Sequence, residues 1–201
     1  MGVAAPSSVA VPPSDIHLHF ARLLQSGDGA DVTFQVGNRT LAAHRCVLAA
    51  RSSVLKAQLF SHEEGITSNV IRIDIDNMEP KVMELLLSFI YSDEMPEIED
   101  EEDVMWQHLL VAADKYELER LKILCEEKLC GYINVTTVAT ILALAEQHHC
   151  QGLKETCLDF LDFPANLHDV MASGGLEHLR NSCSAVLIDL IAKLASIKLD
   201  N

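Results

Sequence analysis

Three side chains near the start of the chain, Asp31, His44 and Cys46, are of types that could form a reaction centre. A carboxylate that orients a histidine can help to activate a cysteine as a nucleophile. Asp31 precedes one predicted strand and His44 follows the next, so the two side chains could meet across a hairpin. Cys46, however, begins the apolar segment CVLAA, and no glycine-rich turn beside it offers an oxyanion hole. We therefore predict that Asp31 and His44 are structural residues and that the chain is not an enzyme.

A second group of possible ligands lies further along the chain, at His148, His149, Cys150 and Cys157. Adjacent residues on a helix point about 100° apart, so the two histidines cannot easily share one metal ion. No further ligands are spaced to complete a tetrahedral site. The glycine-rich phosphate loops and the GxSxG and HExxH motifs are absent from the sequence. We expect no metal ion and no cofactor.

Composition limits the binding partners and the cell compartment that we expect for the chain. The chain has 201 residues and a formal net charge of -15, with 30 acidic and 15 basic side chains. Such acidity disfavours binding to nucleic-acid phosphates and to anionic membranes, and no apolar run reaches the roughly 18 residues of a membrane span. The six cysteines form no CxxC pair, and no secretory signal is visible. We expect reduced thiols, a location in the nucleus and/or cytoplasm, and no nucleic-acid or membrane partner.

The elements that position these residues follow from hydrophobic periodicity, beginning with one helix. Residues 1–12 are small and contain proline, and we expect them to be disordered. Ser14 is predicted to cap a helix on which Ile16, Phe20 and Leu23 share one face. Periodicity alone leaves open whether this apolar stripe packs on its own domain or on a partner.

The next elements mix strands and helices. DVTFQV and RTLAAH flank the turn dipeptide at 37–38 and predict a hairpin, and VIRIDI predicts a third strand. Helical periodicity begins at Cys46 and continues to Phe60. The serine pair at 52 and 53, within this segment, can cap a second short helix. EPKVMELLLSFIYSD then predicts a strong amphipathic helix.

From Val104 onward the pattern predicts helices only. A pair of helices is broken near 114–116, and Asn134 is predicted to cap the helix that follows. Further helices are predicted over residues 151–161, 166–172 and 183–198. A change of composition near Gly131 suggests a boundary between a mixed front part and a helical rear part.

The longer segments resemble a known family. DVTFQVGNRTLAAHRCVLAARSSVLKAQLF resembles the start of a BTB/POZ domain, and the segments IDIDNMEPKVMELLLSFIYSDEMP and HLLVAADKYELERLKILCEEKL match later blocks in order and spacing. The lead VPPSDIHLHFARLLQSGDGADVTF looks like the plant MATH-BTB branch, relatives of the speckle-type POZ protein. The resemblance runs from about Pro12 to about Ser196.

This resemblance implies an α/β (α+β) BTB/POZ fold, a small sheet flanked by helices, followed by an all-helical 3-box and BACK-like region. The implied division is a disordered lead at 1–12, a BTB/POZ domain at 13–131 and the helical region at 132–201. BTB domains of this kind form homodimers and bind the N-terminal region of cullin-3, while a MATH domain captures substrates for ubiquitination. The resemblance therefore implies a non-catalytic, substrate-specific adaptor or assembly subunit of a cullin-3-based E3 ubiquitin ligase.

The residues of the family's dimer interface match four positions here. They are Ile16, Phe20, Leu23 and Val47. Three of them form the apolar stripe found from periodicity, so the resemblance favours self-association over packing on the chain's own domain. A symmetric interface of this kind is isologous.

The residues of the cullin contact match less well. The matched positions are Leu59, Phe60, Glu63, Ile66, Asp114 and Tyr116. Glu63 stands where the family has a hydrophobic residue, and Gly65 stands where it has glutamate. A charge in an apolar pocket carries a desolvation cost of several kcal/mol. We expect cullin binding to be retained but weakened, with Ile66 able to substitute if the loop shifts.

No MATH domain precedes the BTB-like segment within these residues. The chain could be an adaptor whose substrate docks elsewhere, a partner of full-length MATH-BTB relatives, or a fragment or decaying gene copy. A self-associating scaffold or regulator that does not bind cullin is the competing function.

Overall fold

The computed structural model describes residues 10–60, 71–96, 98 and 103–197. Within them the chain forms a three-stranded sheet and eleven helices. The strands are β1 (Val32–Val36), β2 (Arg39–Ala43) and β3 (Ile71–Ile75). The helices of the front part are α1 (Ile16–Ser26), α2 (Arg45–Arg51), α3 (Ser53–Phe60), α4 (Pro80–Ser92), α5 (Asp103–Lys115) and α6 (Glu119–Cys130). The rear helices are α7 (Val138–Gln147), α8 (Gln151–Leu161), α9 (Pro164–Ala172), α10 (Gly175–Ser182) and α11 (Ser184–Ile197).

The sheet follows the predicted hairpin and third strand. Its order is β2-β1-β3, with β1 antiparallel to β2 and parallel to β3. Val32, Phe34 and Val36 alternate along β1 and are fully buried, because successive strand residues point to opposite faces. Gly37 has φ of 55° in the turn, a left-handed conformation that glycine adopts without a Cβ clash. The predicted hairpin and the predicted α/β class are confirmed.

Helix α4 is the central helix of the front part. Pro80 occupies an early position, where its missing N–H costs no hydrogen bond. The helix packs against α1, α2, α5 and strand β2, and its apolar residues are correspondingly buried from Val82 to Tyr91. It ends at Asp93, which has a left-handed φ of 58°.

The α5–α6 hairpin joins the front part to the helical rear. The break lies at residues 116–118, close to the predicted one, and Glu117 has a left-handed φ of 52° there. Helix α8 packs against α6, and α7 packs against α8, α10 and α11. None of the helices that the structure describes combines the length and apolarity needed to cross a membrane.

The structure differs from the sequence-based expectation at Ser14, at the start of α9 and at α10. Helix α1 begins after Asp15 and has no side-chain cap, so Ser14 does not cap it. The contacts predicted for a cap at Asn134 are present, although helix α7 is assigned only from Val138: the Asn134 carboxamide oxygen accepts from the N–H groups of Thr136 at 2.8 Å and Thr137 at 3.3 Å, and its carbonyl oxygen accepts from the Val138 N–H at 2.9 Å. Helix α9 begins at 164, since proline is well suited to a first helical turn. Helix α10 was not predicted, because its sequence GLEHLRNS has few apolar residues to reveal a period.

Candidate protein-interaction surfaces

The possible reaction centre at Asp31, His44 and Cys46 is divided among separate contacts. The Asp31 carboxylate accepts a hydrogen bond from the Arg45 N–H at 2.7 Å, at the first residue of α2, and lies 3.6 Å from the Arg45 Nε. The His44 ring instead lies 2.8 Å from the Tyr91 hydroxyl through Nδ1 and 2.9 Å from the Asp28 carbonyl oxygen through Nε2. Cys46 is exposed. Asp31 and His44 therefore do not form the acid–base pair that could activate Cys46.

The partners of His44 fix its tautomer. A carbonyl oxygen only accepts hydrogen bonds, so Nε2 carries the proton and donates to Asp28. Nδ1 then accepts from the Tyr91 hydroxyl, whose oxygen in turn accepts from the His44 backbone N–H at 2.7 Å. Burial raises the pKa of Tyr91 to about 12, which keeps this hydroxyl a donor. The network holds the start of α2 against the end of α4.

A groove beside α1 is the first candidate surface. None of the α1 side chains is fully buried, and Ile16 and Phe20 are 61% and 36% exposed. Together with the half-buried Val47 of α2 they line an apolar cavity of about 400 Å³. Its other lining residues are His17, Cys46, Ala50, Arg51, Ile90, Tyr91, Ser92 and Asp93. We call this cavity the α1 groove.

The structure brings together three of the four residues predicted for the dimer interface. Ile16, Phe20 and Val47 line the α1 groove. Leu23, the fourth residue, is partly buried and packs against the chain's own core. The rim of the groove is charged, since Arg51 pairs with Asp93 there. An apolar floor with a charged rim is the arrangement of a protein–protein interface.

The residues predicted for the cullin contact lie at different depths. Phe60, at the end of α3, is 45% exposed, and the Arg45 guanidinium lies 5.2 Å from the centre of its ring. The Leu59 side chain is buried and that of Tyr116 is 0% exposed. Glu63 and Ile66 lie outside the described residues.

We call the turn between α5 and α6, at residues 114–118, the α5–α6 corner. Its Asp114 carboxylate is bound on both sides, by the Lys122 ammonium at 2.6 Å and by the His148 Nδ1 at 2.8 Å. Burial raises the pKa of Asp114, but the hydrogen bonds from His148 and Lys122 outweigh burial, so the pKa lies below its ordinary value. The Asp114 carboxylate of α5 thus contacts both α6 and the end of α7.

A second tie holds the same corner from the other side. The Ser52 hydroxyl, between α2 and α3, donates to the Tyr116 carbonyl oxygen at 2.7 Å, and its oxygen accepts from the Leu55 N–H at 3.1 Å. The predicted helix cap at the serine pair is therefore made by Ser52. The Tyr116 hydroxyl is buried and has no hydrogen-bond partner among the described residues, and burial raises its pKa.

The cysteines and histidines of the rear part do not converge. In the part of the chain that the structure describes, no cluster of three or more His, Cys, Asp or Glu side chains could hold a metal ion. All six cysteines are free. Burial raises the pKa of Cys125, Cys150 and Cys157 to about 12, so these thiols stay protonated. His148, a candidate ligand from the sequence, is bound to Asp114 instead.

Comparison with known proteins identifies both parts of the chain. The family model described as BTB/POZ domain matches residues 20–133. The chain belongs to the BTB/POZ family. The model described as BPM/SPOP, BACK domain matches residues 137–191, in the helical rear part. The BTB domain of zebrafish PATZ1 is a similar solved structure, with a TM-score of 0.44 and 23% identity over 60% of this chain and 96% of that domain.

Three curated relatives are MATH-containing BTB proteins of Arabidopsis thaliana. BTB/POZ and MATH domain-containing protein 3 is 45% identical over 94% of this chain and 48% of its own length. Protein 4 of the same name is 41% identical over 94% of this chain and 42% of its own length. Protein 6 of the same name is 33% identical over 94% of this chain and 48% of its own length. The resemblance to the plant MATH-BTB branch is confirmed, and this BTB chain spans about half the length of the curated relatives it matches.

Proposed function

We propose that this BTB chain is a non-catalytic adaptor or assembly subunit of a cullin-3-based E3 ubiquitin ligase in the nucleus or cytoplasm. The observation that carries the proposal is the order of the two matched domains, a BTB/POZ domain followed by a BACK domain of the BPM/SPOP type. The BTB family is in general a family of non-catalytic adaptors. In keeping with this, the side chains that could have formed a reaction centre at the start of the chain support helix α2 instead.

Self-association through the α1 groove is the first step of the proposed function. Ile16 and Phe20 leave apolar surface in water, and burying what is still exposed would stabilise a complex by about 0.5–2 kcal/mol for each side chain. A second copy of the chain offers the same stripe, which suits an isologous dimer. Dimerisation would give the ligase two copies of every other binding surface.

Cullin binding at the edge beside Phe60 is the second step. Phe60 offers an exposed aromatic side chain, a residue type enriched in protein interfaces. Leu59 and Tyr116 are buried, so we assign them a supporting role rather than a direct contact with the partner. The neighbouring residues Glu63 and Ile66 would complete the contact.

Calorimetric titration with the cullin-3 N-terminal domain tests this proposal. We expect a dissociation constant in the micromolar range or tighter, which corresponds to about -8 kcal/mol or better. Phe60→Ala should weaken binding about tenfold, a typical result for a central aromatic. Phe163→Ala removes another exposed phenylalanine, 66% exposed before α9, and should leave the affinity unchanged.

A Glu63→Met variant tests whether the charge at position 63 weakens cullin binding. Replacing the charged side chain by an apolar one should tighten binding, because the desolvation cost of the carboxylate disappears. Absence of binding by both the wild type and Glu63→Met would overturn the ligase function.

The second candidate function is a self-associating scaffold that dimerises with full-length MATH-BTB proteins without binding cullin. The observation that favours it is the charged residue at position 63. A chain that forms dimers in solution yet shows no heat of binding to cullin-3 would support this candidate.

A further inference from the structure

The His148 side chain is the point at which the helical rear part touches the α5–α6 corner. Its Nδ1 lies 2.8 Å from the Asp114 Oδ2, and its side chain is 20% exposed. An ionised carboxylate only accepts hydrogen bonds, so Nδ1 is the donor. The other oxygen of Asp114 accepts from the Lys122 ammonium at 2.6 Å. One carboxylate therefore links the end of α5 to α6 and to the end of α7.

The backbone around His148 holds the ring in place. The His148 N–H donates to the Leu144 carbonyl oxygen at 3.0 Å and closes the last turn of α7. His149 then has a left-handed φ of 56°, and the Cys150 N–H donates back to the Ala145 oxygen at 2.7 Å. This is the helix ending in which a left-handed residue satisfies the final carbonyl groups. The imidazole is consequently presented from a defined helix end.

A second contact between the two parts lies nearby. The Glu126 carboxylate of α6 accepts from the Leu153 N–H, at the start of α8, at 3.4 Å. That contact reaches the middle of α6 and leaves the corner itself untouched. His148 is thus a rear-part side chain that bonds directly to the corner.

We propose that His148 is a positioning residue: by binding Asp114 it lets the BACK region hold the α5–α6 corner, and through that corner and helix α3 the cullin edge at Phe60, in its binding geometry. The effect on the edge rests on the proposed function, whereas the effect on the corner does not. The path to the edge runs from the Tyr116 carbonyl oxygen, which accepts from Ser52, and then along α3 to Phe60 at the other end of that helix. The corner is held between His148 on one side and Ser52 on the other.

Amide hydrogen exchange of the chain alone tests the effect on the corner. The readouts are the amides of Tyr116 and Leu118, which donate to Ala112 at 3.1 Å and to Ala113 at 2.8 Å. His148→Ala should raise their exchange rates about tenfold, the loss expected for a hydrogen bond to a charged group that is partly in water. His148→Asn should stay within about threefold of the wild type, because its amide nitrogen can donate from the Nδ1 position.

A double-substitution cycle separates this bond from other effects of the histidine. In an Asp114→Asn background the charged acceptor is gone, so His148→Ala should add less than about a threefold change in exchange. Met171→Ser, on the exposed surface of α9, is the matched control in the rear part and should change neither amide. Equal exchange in wild type and His148→Ala would overturn the proposal.

Titration of the same variants with the cullin-3 N-terminal domain tests the effect on the edge. His148→Ala should weaken binding by about threefold to tenfold, while His148→Asn and Met171→Ser should bind like the wild type. Faster corner exchange in His148→Ala with unchanged cullin affinity would overturn the proposal. If the wild type itself does not bind, the proposed function fails, and hydrogen exchange alone decides whether His148 positions the corner.

Discussion

Two surfaces of the BTB part, the α1 groove and the α5–α6 corner, differ in what lies around them. The groove is lined largely by apolar side chains, and its outer wall is a helix with no fully buried residue. The corner is polar and is bound by Lys122, His148 and Ser52 from three other segments. The groove thus offers exposed apolar area to a partner, whereas the corner is held in place by hydrogen bonds and ion pairs from neighbouring segments. Substitutions should therefore affect the two surfaces in different ways.

The largest expected effect is the loss of the dimer when charges enter the groove. Ile16→Asp combined with Phe20→Asp should raise the dissociation constant of the dimer by about a thousandfold or more, because unpaired charges would be buried at the interface. The folded chain should persist, since both side chains are exposed. Light scattering gives the mass of each species.

Met171→Asp is the matched control, since it places a charge on another exposed apolar position. It should leave the mass unchanged. A double variant that stays dimeric, or a wild type that is already monomeric, would show that the groove is not the interface. Leu23→Asp is unsuitable for this test, because Leu23 packs against the core of its own chain.

The next prediction compares substitutions of two buried tyrosines. Tyr91 lines the α1 groove, and Tyr116 lies in the α5–α6 corner. Tyr91→Phe removes a hydroxyl that bonds both the His44 N–H and Nδ1, and should lower the free energy of unfolding by about 1–3 kcal/mol. Tyr116→Phe removes a buried hydroxyl that has no hydrogen-bond partner among the described residues, and should change stability by less than about 0.5 kcal/mol or raise it. Urea unfolding at equilibrium measures both. Equal losses in the two variants would contradict the contacts described for these hydroxyls.

The corner should also carry a pH dependence through Asp114. Its folded pKa lies below the ordinary value, so its contribution to stability is complete above the ordinary carboxyl value of about 4 and is lost as pH falls through the lower folded value. The wild type should therefore be more stable than Asp114→Asn at pH 6, and the difference should shrink below about pH 4. Urea unfolding from pH 6 to pH 3 measures this difference. A gap that widens on acidification would contradict the account.

The smallest effect concerns the helix end that presents His148. His149 is exposed and has a φ of 56°, which glycine adopts without strain. His149→Gly should raise the free energy of unfolding by about 0.5 kcal/mol, after the entropy lost by glycine is subtracted. Thermal unfolding of this variant beside the wild type tests it. A loss of stability would mean that the exposed ring makes a stabilising contact.

The sequence predicted the first surface better than the second. The stripe of Ile16 and Phe20 follows from a local helical period, and the three strands follow from local alternation and a glycine turn. A residue's neighbours along the chain are enough for such patterns. Leu23 belongs to the same period, but packing decided that it faces the core.

The polar ties could not be predicted, because their partners are distant in sequence. Ser52 and Tyr116 are 64 residues apart, His44 and Tyr91 are 47 apart, and Asp114 and His148 are 34 apart. Periodicity is silent about such pairs. The sequence pattern marks His148 and His149 as possible metal ligands, but it does not indicate that His148 binds Asp114.

The most direct test of the whole account is sedimentation of the chain mixed with the cullin-3 N-terminal domain, at concentrations well above the expected micromolar dissociation constant. The account predicts one species with the mass of two chains and two cullin domains, since the groove and the edge beside Phe60 are separate surfaces. Ile16→Asp with Phe20→Asp should convert it to a one-to-one species. Two partners that sediment separately would contradict the adaptor function.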